Sequence, residues 1–582
     1  MKIKHLFGLA VIAAMTASCS SNENLGTAGP STGTNEAGVG YATFTINLPS
    51  VSGTRAADAG GAEVAPGTED EYKVTNATAL IFQKYGDDEG SYKFVESVDL
   101  PDADVAWNND TEDGVTKSKK LVAKLTNVDT KNTYGVLILL NNKTASGDVK
   151  IKLPTAGQSY NDWNNTAQTP KVIDLAATDN FYMANAPLNE SGSVTTLVTI
   201  DKNNIYATQT EAESGTKAAN VYVERGVAKM TVATPGTAGT IIVKDKANPT
   251  ATTKKSEVKF SNWALDITNK NTFAVHNIDG LSKDFPAIWT TTARFTGINK
   301  RVYWGKDPNY KNDDLKLKDK DADREAEFNF IDATSKIDKD FGETNPVYCL
   351  ENTFNLANMY QGQTTRVIFK AKYIPKNDTG ADLADTDGTF YTIGNMTTIL
   401  KFADLETAVN AAATSVLSGC TVDYEANLKK EGSHVITLAD IKDASGATLV
   451  AGKDYSGKTG DQIVADINTK LGLKAGRKEE MVGINTYLEG ATYYIARVKH
   501  FGDALTEWKS GENYGDNNDK YLGRYGMLRN NWYELKVGNV YGPGYPGVPP
   551  VDPTLPDDEN EKYLSVSVKI LDWAKRSDTV DL

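Results

Sequence analysis

Residues 563–573 read YLSVSVKILDW and stand almost at the end of the chain. Apolar side chains alternate with polar ones here, which is the period of a half-buried β-strand. The apolar set is Leu564, Val566, Val568 and Ile570. The segment before it, Pro543–Pro556, is rich in proline and predicts a tether. A strand on a tether can pair within its own molecule or add to the sheet of another molecule, so both options stay open here.

A second isolated strand, near the other end of the chain, has the same pattern. Residues 40–49 read GYATFTINLP, and the apolar set is Ala42, Phe44, Ile46 and Leu48. A loop of small residues with one arginine, SGTRAADAGG at residues 52–61, follows directly. Exposed loops of this kind are where proteases cut, so the sequence predicts a processing site at Arg55.

The N-terminus has the order of a bacterial export signal. Lys2 and Lys4 precede an apolar run, Leu6–Met15, which is too short to span a bilayer as a mature helix. Residues 16–19 read TASC, the form of a lipobox with an acylated Cys19, although Thr16 stands where leucine is usual. We therefore predict a signal peptide over residues 1–18 and a flexible spacer over residues 19–39.

Composition favours a large, acidic, exported protein. The 582 residues suffice for two or more domains, and the net charge of −14 is spread along the chain. No basic stripe is present, so we expect no nucleic-acid partner. Apart from Cys19, only Cys349 and Cys420 remain as a possible disulfide, and two cysteines in so long a chain are better read as small buried hydrophobes.

The interior predicts a mainly β fold, because short alternating runs are separated by Gly, Asn, Asp and Thr turns. The best helix candidates are Leu405–Leu417 and Gln462–Leu471. One-sided strands suit sheets packed face to face, so we expect an N-terminal sandwich at 56–215 and a C-terminal sandwich with insertions at 216–541. The clearest predicted strands are Thr78–Phe82, Tyr134–Leu140, Val221–Val232, Thr365–Tyr373, Tyr493–Lys499 and Trp532–Val537.

Motifs for chemistry are weak. Gly452–Thr459 matches the phosphate-loop pattern, but no metal-binding strand follows and a turn before a helix explains it better. Asp319–Asp323 begins like a calcium loop, yet Arg324 and Phe330 occupy its glycine and glutamate positions. No H-E-x-x-H or G-x-S-x-G occurs, and no carboxylate pair stands out for glycoside hydrolysis. We therefore expect that the protein is not an enzyme and that it binds no cofactor and no metal ion.

Several segments in order along the chain carry a family resemblance. They are the signal ending at Cys19, Thr54–Ala56, Val223–Lys229 (VERGVAK), Arg366–Tyr373 (RVIFKAKY), Arg529–Tyr533 (RNNWY), Leu564–Val568, Trp573 and Val580–Leu582. With them the chain resembles the fimbrillin (fimbrilin) family of Bacteroidales, or type V pilins, and within it the shaft subunits of the short, or minor, fimbriae of Porphyromonas. Residues 235–345 add little to the resemblance.

The resemblance implies an outer-membrane lipoprotein precursor built of two transthyretin-like β-sandwiches. An arginine-specific protease would cut between Arg55 and Ala56 and remove the plug strand, which lies within residues 40–55. The groove so opened would receive the donor strand of another copy, residues 563–582, carried on the tether of residues 542–562. The product would be a surface fimbria that serves adhesion and biofilm formation, with accessory anchor and tip subunits.

Two other functions stay open. A monomeric surface glycan-binding lipoprotein would need aromatic platforms, which 27 tyrosines and 8 tryptophans could supply. A fimbrial anchor would keep its lipid and lack the cutting loop, whereas a tip subunit would need no donor strand. This chain has the sequence patterns of both the cutting loop and the donor strand, which favours a shaft subunit.

Overall fold

A computed structural model describes residues 32–49, 67–109, 115–190, 193–251, 255–286, 301–501, 506–509, 512, 514–515, 519–558 and 564–571. For residues 109, 115, 116, 190 and 564–571 only the backbone is described. The predicted signal peptide, Cys19, Arg55 and Ala56 lie outside the described residues.

The described chain is mainly β, as the sequence predicts. The strands before residue 226 are β1 (Gly40–Pro49), β2 (Ala77–Gln83), β3 (Lys93–Asp99), β4 (Asn108–Asn109), β5 (Val115–Leu125), β6 (Tyr134–Leu140), β7 (Ala176–Ala177), β8 (Asn180–Phe181), β9 (Met183–Asn185), β10 (Leu188–Glu190), β11 (Ser193–Thr195), β12 (Val198–Thr199), β13 (Ile205–Tyr206) and β14 (Ala219–Arg225).

The strands after residue 226 are β15 (Ala228–Val232), β16 (Thr240–Ile242), β17 (Glu257–Asp266), β18 (Thr268–Asn269), β19 (Phe328–Asn329), β20 (Val347–Cys349), β21 (Arg366–Ile374), β22 (Phe390–Ile393), β23 (Thr421–Val422), β24 (Gly432–His434), β25 (Ile441–Lys442), β26 (Ile484–Tyr487), β27 (Ala491–Arg497), β28 (Trp532–Val540) and β29 (Leu564–Leu571). The α-helices are α1 (Tyr160–Asn164), α2 (Val172–Leu175), α3 (Gln209–Ser214), α4 (Leu281–Asp284), α5 (Asp321–Glu327), α6 (Phe402–Val416) and α7 (Gly460–Lys470).

The sheets divide at Gly226. Before it, the main sheet has the order β3-β2-β6-β9-β14-β1-β5-β4. After it, two four-stranded sheets have the orders β20-β15-β28-β29 and β16-β17-β21-β27. One large hydrophobic core draws mostly on side chains from Ala42 to Val227, and the next draws on side chains from Ala228 to Val540.

One predicted strand is wrong in its extent. The run Val221–Val232 forms two strands, β14 and β15, in two different sheets. The break falls at Gly226, whose amide donates a hydrogen bond to the carbonyl of Tyr182 at 2.9 Å. A side chain at this position would meet the Tyr182 ring, since an added Cβ would lie 2.5 Å from its Cδ1 atom. The other five predicted strands are confirmed with small shifts at their ends.

An inserted helical unit lies between β22 and β26. Its core, from Tyr391 to Ile484, contains residues of α6 and α7, which confirm the two predicted helices. Cys420 is buried in this core and Cys349 in the larger core of the second part, and both are free thiols, as the sequence suggests. Burial raises the pKa of Cys349 to about 12. Among the described residues, no helix has the length and apolar character needed to cross a membrane.

Candidate assembly site

The N-terminal strand β1 lies inside its sheet, between β5 and β14. It pairs antiparallel with β5 from Gly40↔Leu125 to Asn47↔Ser118. It also pairs parallel with β14 from Phe44↔Ala219 to Asn47↔Tyr222, while β13 pairs with its first residues. Both edges of β1 are therefore occupied by neighbouring backbone, so its removal would split the sheet.

The apolar face of β1 is completely buried. Ala42, Phe44, Ile46 and Leu48 are each 0% exposed and belong to the first core. The polar face is covered in part, because Thr43 and Asn47 are each 2% exposed whereas Tyr41 and Thr45 are half-buried. Helix α3 supplies part of this cover, since the Thr43 hydroxyl donates a hydrogen bond to the Ala212 carbonyl at 2.6 Å.

The burial of β1 stabilises the folded chain strongly. Phe44, Ile46 and Leu48 each contribute about 1.5 to 3 kcal/mol when fully buried, and the smaller Ala42 contributes less. The Asn47 amide also donates to the side-chain oxygen of Asn220 at 2.9 Å and to the carbonyl of Val221 at 3.0 Å. An empty groove between β5 and β14 would therefore be a strong binding site for another strand of similar pattern.

The C-terminal strand β29 pairs with its own molecule. It runs antiparallel to β28 at the edge of a sheet of the second part. The register sets Leu564, Val566, Val568 and Ile570 opposite Val540, Val537, Leu535 and Tyr533, respectively. These four β28 residues are buried in the second core. The sequence left open whether this strand pairs within its own molecule or with another molecule. In this structure it pairs within its own molecule.

The described part of the proline-rich segment is fixed to the body of the molecule. Tyr545 exchanges two backbone hydrogen bonds with Tyr493, at 2.7 and 2.9 Å. Further on, the buried guanidinium of Arg366 donates to the carbonyls of Pro549 and Pro550 at 2.7 and 3.2 Å, and it is paired with Asp266 at 2.8 Å. Prolines lack amide donors but keep their carbonyls, so arginines can hold such a segment. We call residues 541–558 the strap.

The strap ends in a clamp of two buried acid–base pairs. Arg524 binds Asp558 through two hydrogen bonds, both 2.7 Å, and Asp558 also accepts hydroxyl hydrogen bonds from Tyr514 and Tyr525. Beside it, Arg497 lies 3.6 Å from Asp557. Bidentate arginine–carboxylate pairs fix geometry as well as charge. The end of the strap is therefore held in a defined position at Asp558.

Two of the resemblance segments meet where the two cores join. The Arg225 amide donates to the side-chain oxygen of Asn530 at 3.2 Å, and the Asn530 amide donates to the Val227 carbonyl at 2.8 Å. The Lys229 ammonium lies 3.9 Å from the centre of the Trp532 ring. The two segments therefore share a role at this junction.

Glu71 completes the junction, and sequence reasoning missed it. Its carboxylate is 2.6 Å from the Lys229 ammonium and accepts a hydrogen bond from the Tyr348 hydroxyl at 2.6 Å. Burial opposes ionisation of Glu71, but Lys229, Arg225 and Tyr348 outweigh it and lower its pKa. The residues next to Glu71 in the sequence do not distinguish it from the many other acidic residues of the chain. Only its contacts with distant residues show its role.

The two motifs set aside as weak are used structurally. Lys458 of the phosphate-loop pattern pairs with Asp466 at 2.6 Å, and the Thr459 hydroxyl caps α7. Asp321 of the acidic run pairs with Arg324 and with Arg477. Among the described residues, no group of three or more His, Cys, Asp or Glu side chains could hold a metal ion.

Comparison with known proteins identifies the last part of the chain. Residues 485–579 match the family model of the major fimbrial subunit protein type IV, fimbrillin, C-terminal. The C-terminal part thus has the signature of a fimbrillin. The matched residues include β27, β28, β29 and the strap. The match covers far less than half of the chain, and a comparison with curated proteins finds no match.

Several solved structures are similar over most of the chain but diverge strongly. A candidate cell adhesion protein from Parabacteroides distasonis is 9% identical over 93% of this chain and 99% of its own, with a TM-score of 0.34. One from Bacteroides eggerthii is 10% identical over 95% and 99%, with a TM-score of 0.33. A fimbrial assembly protein from Parabacteroides distasonis is 12% identical over 62% and 94%, with a TM-score of 0.28.

Proposed function

We propose that the chain is a structural subunit of a surface fimbria that polymerises by protease-triggered donor-strand exchange and supports adhesion and biofilm formation. The observation that carries the proposal is β1, whose apolar face is completely buried, which is paired on both edges and which stands directly before the loop with Arg55. The fimbrillin match over residues 485–579 supports it independently.

The proposed sequence of events follows the chain. The precursor is exported to the outer membrane with a lipid on Cys19, and an arginine-specific protease cuts between Arg55 and Ala56. β1 then has no covalent link to the body and leaves the groove between β5 and β14. The C-terminal strand of a second copy fills the groove with Leu564, Val566, Val568 and Ile570.

Within the fimbrillins we place the chain with shaft subunits such as those of the short fimbriae of Porphyromonas, which work with separate anchor and tip subunits. We also propose that each large core is a transthyretin-like β-sandwich. The separate cores before and after Gly226 support two such domains. A buried first strand also protects the precursor, since a covered groove cannot pair early.

The proposal is tested by cutting the purified precursor with an arginine-specific protease and running unboiled and boiled samples on a denaturing gel. We expect heat-resistant ladders from the full chain, and none from Arg55→Gln or from a chain lacking residues 563–582. Ladders that survive the C-terminal deletion would contradict the donor-strand assignment.

The first residue of the protein isolated from the cell surface distinguishes a shaft subunit from an anchor or an unprocessed lipoprotein. Mass spectrometry should find Ala56 first in a processed shaft subunit, whereas an acylated Cys19 would indicate an anchor or an unprocessed lipoprotein. A monomeric glycan binder would bind a sugar array and give no ladders at any concentration.

A further inference from the structure

A large cleft lies between the strap and the inserted helical unit. Its volume is about 1540 Å³. Residues 541–548 of the strap form one wall, and the inserted unit forms the other wall with residues 394–399 after β22, with β24 and with residues 481–483 before β26. Pockets for drug-sized ligands measure about 300 to 1000 Å³, so this cleft has room for a longer ligand. Its lining includes no residue of β1 or of the junction between the cores, so it is separate from the assembly site.

The strap wall of the cleft is held in place by hydrogen bonds from β26 and β27. The Tyr494 hydroxyl donates to the Gly542 carbonyl at 3.0 Å, and the Tyr487 hydroxyl donates to the Gly544 carbonyl at 2.8 Å. The Gly544 amide donates to the Thr492 hydroxyl at 2.9 Å. A wall that is ordered before binding loses little conformational entropy when a ligand arrives, which favours affinity.

The opposite wall presents polar side chains that are free to bind a ligand. Asn395, Thr397 and Thr398 are exposed at the cleft, and none of their side chains forms a hydrogen bond with any described residue. The amide of asparagine and the hydroxyl of threonine can each donate and accept a hydrogen bond. A ligand that carries several hydroxyl groups can therefore pair with all three side chains.

The strap adds aromatic surface to the same cleft. Tyr541 and Tyr545 both line it and are half-buried. A tyrosine ring offers an apolar face to a ligand while its hydroxyl stays close to water. A sugar ring has apolar C–H faces and polar hydroxyl edges. It therefore matches the tyrosines of one wall and the free amide and hydroxyls of the other.

The charges of the cleft favour an uncharged ligand. Five acidic and four basic side chains line it, so opposite charges are nearly balanced and the cleft has no strong field of either sign. An acidic sugar would need a surplus of lysine and arginine side chains, and a cationic ligand would need a surplus of carboxylates. A neutral sugar needs neither.

We propose that this cleft binds a neutral oligosaccharide. Asn395, Thr397 and Thr398 form hydrogen bonds with sugar hydroxyls, and Tyr541 and Tyr545 pack against the C–H faces of the sugar rings. The inference rests on the proposed function for its role, because the cleft would give the fimbria an adhesive contact.

An array of neutral, sialylated and sulfated oligosaccharides tests the proposal with the purified precursor. The binding variant combines Asn395→Ala, Thr397→Ala and Thr398→Ala. The matched control combines Thr178→Ala, Thr344→Ala and Ser418→Ala, which replace exposed hydroxyls that do not line the cleft. Titration calorimetry with the neutral oligosaccharide that gives the strongest array signal then measures the dissociation constants of the three proteins.

We expect the unsubstituted chain and the control to bind neutral sugars equally well and the binding variant to bind at least about tenfold more weakly, because three hydrogen bonds are lost. No signal on the neutral sugars, a signal confined to the sialylated or sulfated ones, or equal binding by the binding variant would overturn the proposal.

A second pair of variants tests the aromatic wall. Tyr541→Phe keeps the ring and should keep most of the affinity for the same oligosaccharide, whereas Tyr541→Ser removes the ring and should weaken binding. Equal affinities of the two variants would overturn the role of this ring.

The ladder assay on the same preparations separates this inference from the proposed function. Ladders without sugar binding would remove the inference and leave the proposed function. Sugar binding without ladders would support the site and remove the proposed function, since the chain would then be a monomeric glycan binder.

Discussion

At the scale of single residues, two threonines of β1 have opposite environments. The Thr43 hydroxyl donates to a buried carbonyl at 2.6 Å, whereas the buried Thr45 hydroxyl has no hydrogen-bond partner among the described residues. A satisfied buried donor stabilises the fold and an unsatisfied one destabilises it. The same residue type thus has a different energetic role two positions apart.

Replacing these threonines by valine should separate the two roles. Thr43→Val leaves the Ala212 carbonyl without its donor and should lower the free energy of unfolding of the precursor by about 1 to 3 kcal/mol. Thr45→Val removes an unsatisfied hydroxyl and should be neutral or stabilising. Urea unfolding of the two precursors measures the difference, and equal losses would contradict it.

Glu71 is the acid on which the buried Lys229 depends. Glu71→Gln leaves the ammonium buried without its counter-charge, which should cost about 3 to 5 kcal/mol of unfolding free energy. Glu69→Gln, an exposed position in the same short 3-10 helix, is the matched control and should cost almost nothing. A loss below 1 kcal/mol for Glu71→Gln would show that water reaches the pair.

The pH dependence of this effect has a defined sign. The pKa of Glu71 in the folded chain is below its ordinary value of 4.5, so the ionised carboxylate is favoured by folding. Its contribution to stability is therefore present above about pH 4.5 and is lost as the pH falls through that value towards the lower folded pKa. The stability gap between the wild type and Glu71→Gln should narrow below pH 4.5 in unfolding curves recorded from pH 7 to pH 3.

At the scale of elements, the strap is held to the body by buried arginine side chains. Arg366, Arg497 and Arg524 come from distant parts of the chain and all hold it. Their side chains are buried. No local pattern predicts such contacts, because an arginine on an alternating strand looks like a solvent-facing residue until its partner is known.

Asp558→Asn should loosen the strap. The substitution removes the charge that Arg524 holds, so backbone amides of the strap, among them Tyr545 and Asp557, should exchange with deuterium at least tenfold faster. Asp552→Asn is the control, because Asp552 is half-buried and its cation partner Lys318 is 3.7 Å away. Unchanged exchange in Asp558→Asn would mean that the prolines alone set the conformation of the strap.

At the scale of the whole molecule, two large cores meet through a small polar junction. Arg225 is fully buried there and takes its contacts from Asn530 and from the Glu71 carbonyl, to which its Nε donates at 2.8 Å. Asn530 itself has a left-handed backbone, with a φ of 57°. Asparagine tolerates this conformation better than other side chains except glycine.

Asn530→Ala should therefore weaken the coupling between the cores. It removes the acceptor for Arg225 and strains a left-handed position, at an expected cost of about 2 to 4 kcal/mol. We expect calorimetry to show one unfolding transition in the wild type and a broadened or split transition in the variant. Asn312→Ala, at a half-buried position with negative φ, should leave the single transition intact.

The candidate site was only partly readable from the sequence. Alternation located β1 and β29 to within two residues at each end, because a strand with one buried face repeats every two residues. Alternation says nothing about the second face, so the cover over Thr43 and Asn47 was missed. The alternating pattern also continues through Gly226, so the sequence predicted one strand there. In the structure, the chain packs against Tyr182 at Gly226 and passes from one sheet to the next.

By itself the sequence determined the mainly β class, the two matching strands, the helices α6 and α7 and the order of the resemblance segments, because these depend on local periodicity and residue type. Tertiary structure decided that β1 lies between β5 and β14, that β29 pairs with β28, and that the proline-rich segment is clamped at Asp558. Those outcomes depend on contacts between residues that are distant in sequence, 34 positions apart for Arg524 and Asp558 and 173 apart for Asn47 and Asn220, for which the chain carries no local signal.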